Sequence, residues 1–185
     1  MKEAMIDSID MEVPSIVPRK ELRQLAGLNV HQCEWLYTSG YRPGSMVPII
    51  MPNGAHPICR RAHWIVDDRD GTVGVFSSRR ALIPSSAVRF KVKADSVKEA
   101  WDMHLLKPAN QGWFALGCSY AVDADQNVSF KLITSAAMGN RLPLLEREPL
   151  IVPAPAWGTW LDTSDVGGTY PPRPGSIEFQ SFVRH

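Results

Sequence analysis

Fifteen prolines and thirteen glycines are spread along the whole of this 185-residue chain rather than gathered into linkers. Proline removes a helix hydrogen bond and clashes with the preceding turn, and glycine weakens a helix through backbone entropy. Long helices are therefore few, and strands joined by turns are the expected build. The strand candidates are MVPIIM (46–51), CRRAHWIV (59–66), GTVGVFSS (71–78), AVRFKVKA (87–94), GWFALGCSYAV (112–122), VSFKLITSA (128–136) and PLIVPA (149–154). ADQN (124–127) reads as the hairpin turn between two of them. Three short helices are expected. PRKELRQLAGL (18–28) has Pro18 in its first turn and Gly27 to end it. DSVKEAWDMHLL (95–106) has Asp95 or Ser96 as cap and a stripe of Val97, Ala100, Trp101 and His104/Leu105. PAPAWGTWL (153–161) turns Trp157, Trp160 and Leu161 inward. The class is α+β, a curved sheet or barrel with helices inserted, in one domain over residues 1–185.

A chain of this length buries roughly 70% of its unfolded surface and needs no metal or disulfide to fold. Cys33, Cys59 and Cys118 are odd in number and lack paired spacing, which fits buried thiols in a reducing compartment. The N-terminus carries acids where a signal peptide has an apolar core, and no run reaches the ~18 apolar residues of a membrane span, so a cytoplasmic location is expected. Lys plus Arg total 20 and Asp plus Glu 19, so net charge is silent about a nucleic-acid partner. Basic surface has to come from local clustering.

Enzymatic signatures are missing. The histidines (31, 56, 63, 104 and 185) form neither HxH nor HxxxH, so no metal is expected. No phosphate-binding loop or dinucleotide fingerprint appears, which leaves no expected cofactor, and GCSY (117–120) falls one residue short of a nucleophile elbow. The basic residues say more. Arg60, Arg61, Arg79, Arg80, Arg89, Lys91 and Lys93 fall between positions 60 and 93, near Trp64, Phe76 and Phe90. Basic strands interleaved with aromatics track a phosphate backbone while rings stack on bases. The same alternation also fits a solvated strand face.

The segment FKLITSAAMGNRLPLLEREPLIVPAPAWGTWLD (130–162) resembles the C-terminal signature of the SOS-response-associated peptidase (SRAP) family, the abasic-site-processing fold. Members there run F-T-I-L-T-T-x-A-N, then I-H-D-R-M-P-V-I-L, then W-x-x-W-L. The match takes in Phe130, Leu132–Thr134, Ala136, Arg147, Pro149, Leu150–Val152, Trp157, Trp160 and Leu161. Upstream, ELRQLAGL (21–28), YRPGSMVPII (41–50), RRAHWIV (60–66), RRALIPSS (79–86) and GWFALG (112–117) follow in family order, and IEFQSFVRH (177–185) closes it.

The resemblance implies a mainly antiparallel barrel and a DNA partner. In the family an N-terminal cysteine captures an abasic-site aldehyde as a thiazolidine during the response to DNA damage, assisted by an Asn, a Glu and a His. This chain departs at each point. Position 2 is Lys2, Ser77 takes the place of the Asn, SSAVRFK follows RRALIP with no carboxylate, and Leu145 replaces the His. A thiazolidine needs both thiol and amine, and leucine cannot move a proton. The resemblance thus implies the scaffold without its catalysis, with no catalytic residue to assign. Schiff-base formation at the Met1 amine or at Lys2 is the one covalent alternative.

Two functions follow. The first is binding of single-stranded, gapped or damaged DNA, with Arg60, Arg61, Arg79, Arg80, Lys91 and Arg147 on phosphates and Trp64 or Trp113 as a stacking surface. The second is a protein-interaction module or inhibitor built on the same scaffold, for which GGTYPPRPGS (167–176) offers an extended arm or an ordinary connector. A shortened, active-site-poor member fits a phage or other mobile element as well as a diverged bacterial paralogue. LLEREP (144–149) sets Arg147 between Glu146 and Glu148, as if to brace a loop.

Overall fold

MVPIIM is apolar at every position, and such a strand needs cover on both faces. In the computed structural model it is buried from Val47 to Met51. The structure describes residues 4–10, 40–65, 79–93, 101–108, 114–136, 147–162 and 177–182. In chain order the strands are β1 (Ala4–Asp10), β2 (Met46–Met51), β3 (Ile58–Trp64), β4 (Arg80–Ser85), β5 (Ala87–Lys93) and β6 (Trp101–Pro108). They continue with β7 (Phe114–Val122), β8 (Val128–Leu132), β9 (Thr134–Ala136), β10 (Arg147–Pro149) and β11 (Ile151–Pro153). A 3-10 turn at Ala154–Ala156 leads into the helix α1 (Trp157–Asp162), and β12 (Ile177–Phe182) is the last described strand.

Five strands close a ring. β2 pairs with β3 on one side and β4 on the other, β4 pairs with β7, β7 with β8, and β8 returns to β3. Every pair is antiparallel except β3–β8, where His63 stands opposite Ser129 and Trp64 opposite Phe130. Side chains alternate across a strand, so one set fills the barrel: Val47 and Ile49, Ala62 and Trp64, Ala81 and Ile83, Leu116 and Cys118, Phe130. Trp64 and Phe130 stack there with ring centroids 5.9 Å apart. The fold is α+β around a closed barrel, in agreement with the class read from the sequence.

A second sheet grows from the first. After Ser85 the chain runs through Ser86 into β5, which lies between β1 and β6, and β12 completes the order β1-β5-β6-β12. Val88, Phe90 and Leu106 on its inner face join the barrel core, while Arg89 on the other face is exposed. This sheet overturns one expectation. Residues 101–106 are strand, not the end of a helix, because β5 and β12 offer hydrogen-bonding partners on both sides. Buried His104 and Leu106 flank half-buried Leu105, a period of two that a short helical stripe imitates. The expected helix at 18–28 and strand at 71–78 lie outside the described residues.

Two long strand expectations are each split by a junction. Gly117 N donates to Leu150 O (2.8 Å), Leu150 N to Ile133 O (2.8 Å), and Ile133 N to Gly117 O (2.9 Å). This closed triangle of backbone hydrogen bonds lets residues 128–136 leave β7 for β10, and 149–154 leave β9 for β7. Residues 123–127 form the expected turn. Asn127 donates from its backbone and side-chain amides to the Asp123 carboxylate, and those bonds hold the Asp123 carboxyl below its ordinary range.

The buried cysteines make one pH dependence explicit. Cys59 and Cys118 are buried and not joined in a disulfide, and burial pushes the Cys118 thiol far above its usual range. A raised folded value leaves stability intact below the unfolded value of ~8.5 and erodes it above. Unfolding free energy is expected to fall by about 1.4 kcal/mol per pH unit above about pH 9. Urea midpoints at pH 8 and 10 check this, and Cys118→Ala should flatten the dependence.

Candidate nucleic-acid interface

The eight cationic and aromatic candidates do not form one cluster. Trp64 is 4% exposed and stacked on Phe130 inside the barrel, so it has no face to offer a base. That corrects its expected stacking role: its alternation places it on the inward side of β3. Arg60 shares that side at the strand's start, and its Nη2 donates to Gln126 O at 3.0 Å, which braces the 123–127 turn. Gln126 adopts a φ of 64°, a left-handed conformation that such a brace helps hold.

Arg80 is half-buried with its guanidinium 4.7 Å from the centroid of the Trp160 ring, a cation–π contact at the edge of α1. Arg79 is exposed at the start of β4, and its carbonyl accepts from Tyr120 N at 3.1 Å. Burial raises the Tyr120 phenol, and the charge of Arg79 partly offsets that rise. Lys91 lies in the other sheet, opposite Met5 on β1 and Met103 on β6. The run of cations between positions 60 and 93 is thus divided between two sheets. Arg147 stands opposite Ala136, and neighbouring Glu148 is buried. Trp113, the side chain of Arg147, and positions 2, 77 and 145 lie outside the described residues.

Strand register assembles a different group. Arg80, Ser119 and Lys131 are consecutive partners across β4, β7 and β8. One step along, Ala121, Ser129, His63 and Met46 are consecutive across β7, β8, β3 and β2. Arg61, exposed, lies two residues before His63 on the same outward side. Strands sit ~4.8 Å apart and same-face residues ~7 Å apart along a strand. The result is a short floor of Ser119, Ala121 and Ser129 rimmed by Arg61, His63, Lys131 and Arg80. No Asp or Glu occurs among the described outward-facing residues of β2, β3, β4, β7 and β8. Lys131 escaped the sequence reading because it stands alone among apolar residues; the alternation in VSFKL puts it beside Ser129.

The floor ends at α1. Trp157 Nε1 donates to Val152 O at 2.9 Å and Trp160 Nε1 to Ala81 O at 3.1 Å, so both indoles are fixed to strands. A Cβ at Gly117 would come within 2.9 Å of the Trp160 ring, so glycine is what lets the ring approach β7 this closely. The inward tryptophans and Leu161 are as the sequence implies.

Ala4 stands opposite Val92, five residues beyond Ala87, where β5 begins next to the barrel. That is roughly 17 Å along the strand. The strand that follows Lys2 therefore begins at the end of the second sheet farthest from β4. Among the described residues no group of His, Cys, Asp or Glu is arranged to hold a metal. No helix there is long and apolar enough to cross a membrane.

No family model matches the chain, and no curated protein sequence matches it. Solved structures do. The chain is similar to a protein from Bordetella bronchiseptica, with a TM-score of 0.62 at 12% identity over 96% of this chain and 100% of that one. It is also similar to a protein from Bacteroides thetaiotaomicron, with a TM-score of 0.59 at 11% identity over 95% and 91%. At such identities the likeness establishes a shared fold.

Proposed function

We propose that this chain is a divergent SRAP-like protein that binds single-stranded or gapped DNA without forming the cysteine–abasic-site crosslink. The observation that carries this reading is the outer face, whose strands hold no Asp or Glu (Asp123 and Asp125 lie at the adjoining turn) and on which Arg61, His63, Lys131 and Arg80 surround a floor of small side chains. Phosphates approach such a floor closely, and each neutralised phosphate releases counterions. Ser77 and Leu145, standing where the resemblance places the family's Asn and His, support binding without covalent capture.

Fluorescence anisotropy with a single strand and a gapped duplex, over a salt series, tests it. The logarithm of the association constant should fall linearly with log salt, with a slope of about −2 to −3 for three or four phosphate contacts. Borohydride with an abasic oligonucleotide should trap no adduct. Absence of binding to every DNA form at low salt would end the proposal.

A further inference from the structure

One end of the cationic face carries a side chain that the fold has no use for. Met46 is 50% exposed and is the exposed large hydrophobic among the described residues. It begins β2, whose other five residues are all buried, and it stands directly opposite His63.

The preceding turn is held rigidly. Ser45 N and Ser45 Oγ both donate to Arg42 O, at 3.0 and 2.6 Å. Gly44, with a φ of 82° that favours glycine, donates to Trp64 O at 3.0 Å, and Trp64 N donates to Ser45 O at 3.0 Å. His63 Nε2 donates to Gly44 O at 3.0 Å. Five hydrogen bonds and a fixed dihedral thus hold the turn that presents Met46 opposite exposed His63 and four residues after exposed Arg42.

An apolar side chain set between an arginine and a histidine suits a nucleobase whose phosphates lie on either side. Apolar wedges, methionine among them, pack against bases at steps they unstack. We propose that Met46 is the base-contacting residue of this face, packing on an unstacked base at a gap or strand end while Arg42 and His63 meet the flanking phosphates. The inference rests on the DNA-binding reading above. Every Phe, Tyr and Trp side chain that the structure describes is buried, so base contact on this face falls to methionine rather than to one of those rings.

The test uses a gapped duplex with 2-aminopurine beside the gap, whose fluorescence rises on unstacking. The wild-type protein should raise it. Met46→Ala and the equally long Met46→Gln should each lose the rise and bind about tenfold more weakly, with an unchanged salt slope. Met46→Leu should keep both signals. Because Met46 is exposed, thermal midpoints of all three variants should match the wild type. Unchanged fluorescence and affinity in Met46→Ala would overturn the base contact and leave DNA binding standing. So would weaker binding with the rise intact. A wild-type protein that binds no DNA would overturn both readings together, and a pull-down would then address a protein partner.

Discussion

Trp160→Ala is expected to lower the unfolding free energy by about 3–5 kcal/mol, a large share of the about 5–15 kcal/mol of an ordinary domain. Trp160 is 2% exposed and lies on the bare backbone of Gly117 against Leu150, beneath the Arg80 guanidinium. Truncation opens a cavity over β7, leaves Ala81 O without its indole donor, and removes the ring that the Arg80 guanidinium covers. Trp160→Phe restores most of the volume but not the N–H, so it should fall between. Urea unfolding with an unchanged slope checks both, since a changed slope signals loss of two-state behaviour. A loss below about 1 kcal/mol in Trp160→Ala would show that α1 is dispensable to the barrel.

The second large effect concerns binding. Arg61→Ala combined with Lys131→Ala should weaken single-stranded DNA binding about a hundredfold at physiological salt, two charge-assisted contacts being lost. It should also flatten the log–log salt slope by about 1.4. Arg89→Ala with Lys91→Ala removes the same charge from the second sheet and should change little. Equal losses in the two double variants would mean that binding follows overall charge, not this face, and would remove the basis of the proposed interface. Anisotropy titrations at several salt concentrations separate these outcomes.

The sequence shows some of this directly. Strands at 46–51 and 87–93, the turn at 124–127 and the inward tryptophans of α1 are local, each carried by its own alternation or punctuation. β1, β4 and β12 are not legible in that way, because their partners lie far along the chain. The same cause misassigned β6: its residues satisfy a helical stripe until neighbouring strands impose a period of two. For the interface, the abundance of cations was visible and their placement was not. Arg60 and Arg80 look equivalent to Arg61 in sequence, yet one braces a turn and another covers an indole. Lys131 looks isolated, yet it shares a row with Arg80. Which side of a strand faces outward depends on register, and register is a long-range property.

The ring of five strands has a consequence of a different kind. Strands that alternate up and down return in step only when their number is even. With five, alternation must fail at one contact, and here it fails between β3 and β8. That mismatch is a frustrated bond in the sense of an odd ring of opposed spins: wherever it is moved, it cannot be abolished without adding or deleting a strand. The parallel contact spans only two residue pairs, and its strands are separated in the chain by β4 to β7. Ring closure therefore waits on the least local pairing in the barrel. The Trp64–Phe130 stack sits at that join, where an aromatic pair adds to an otherwise short ladder.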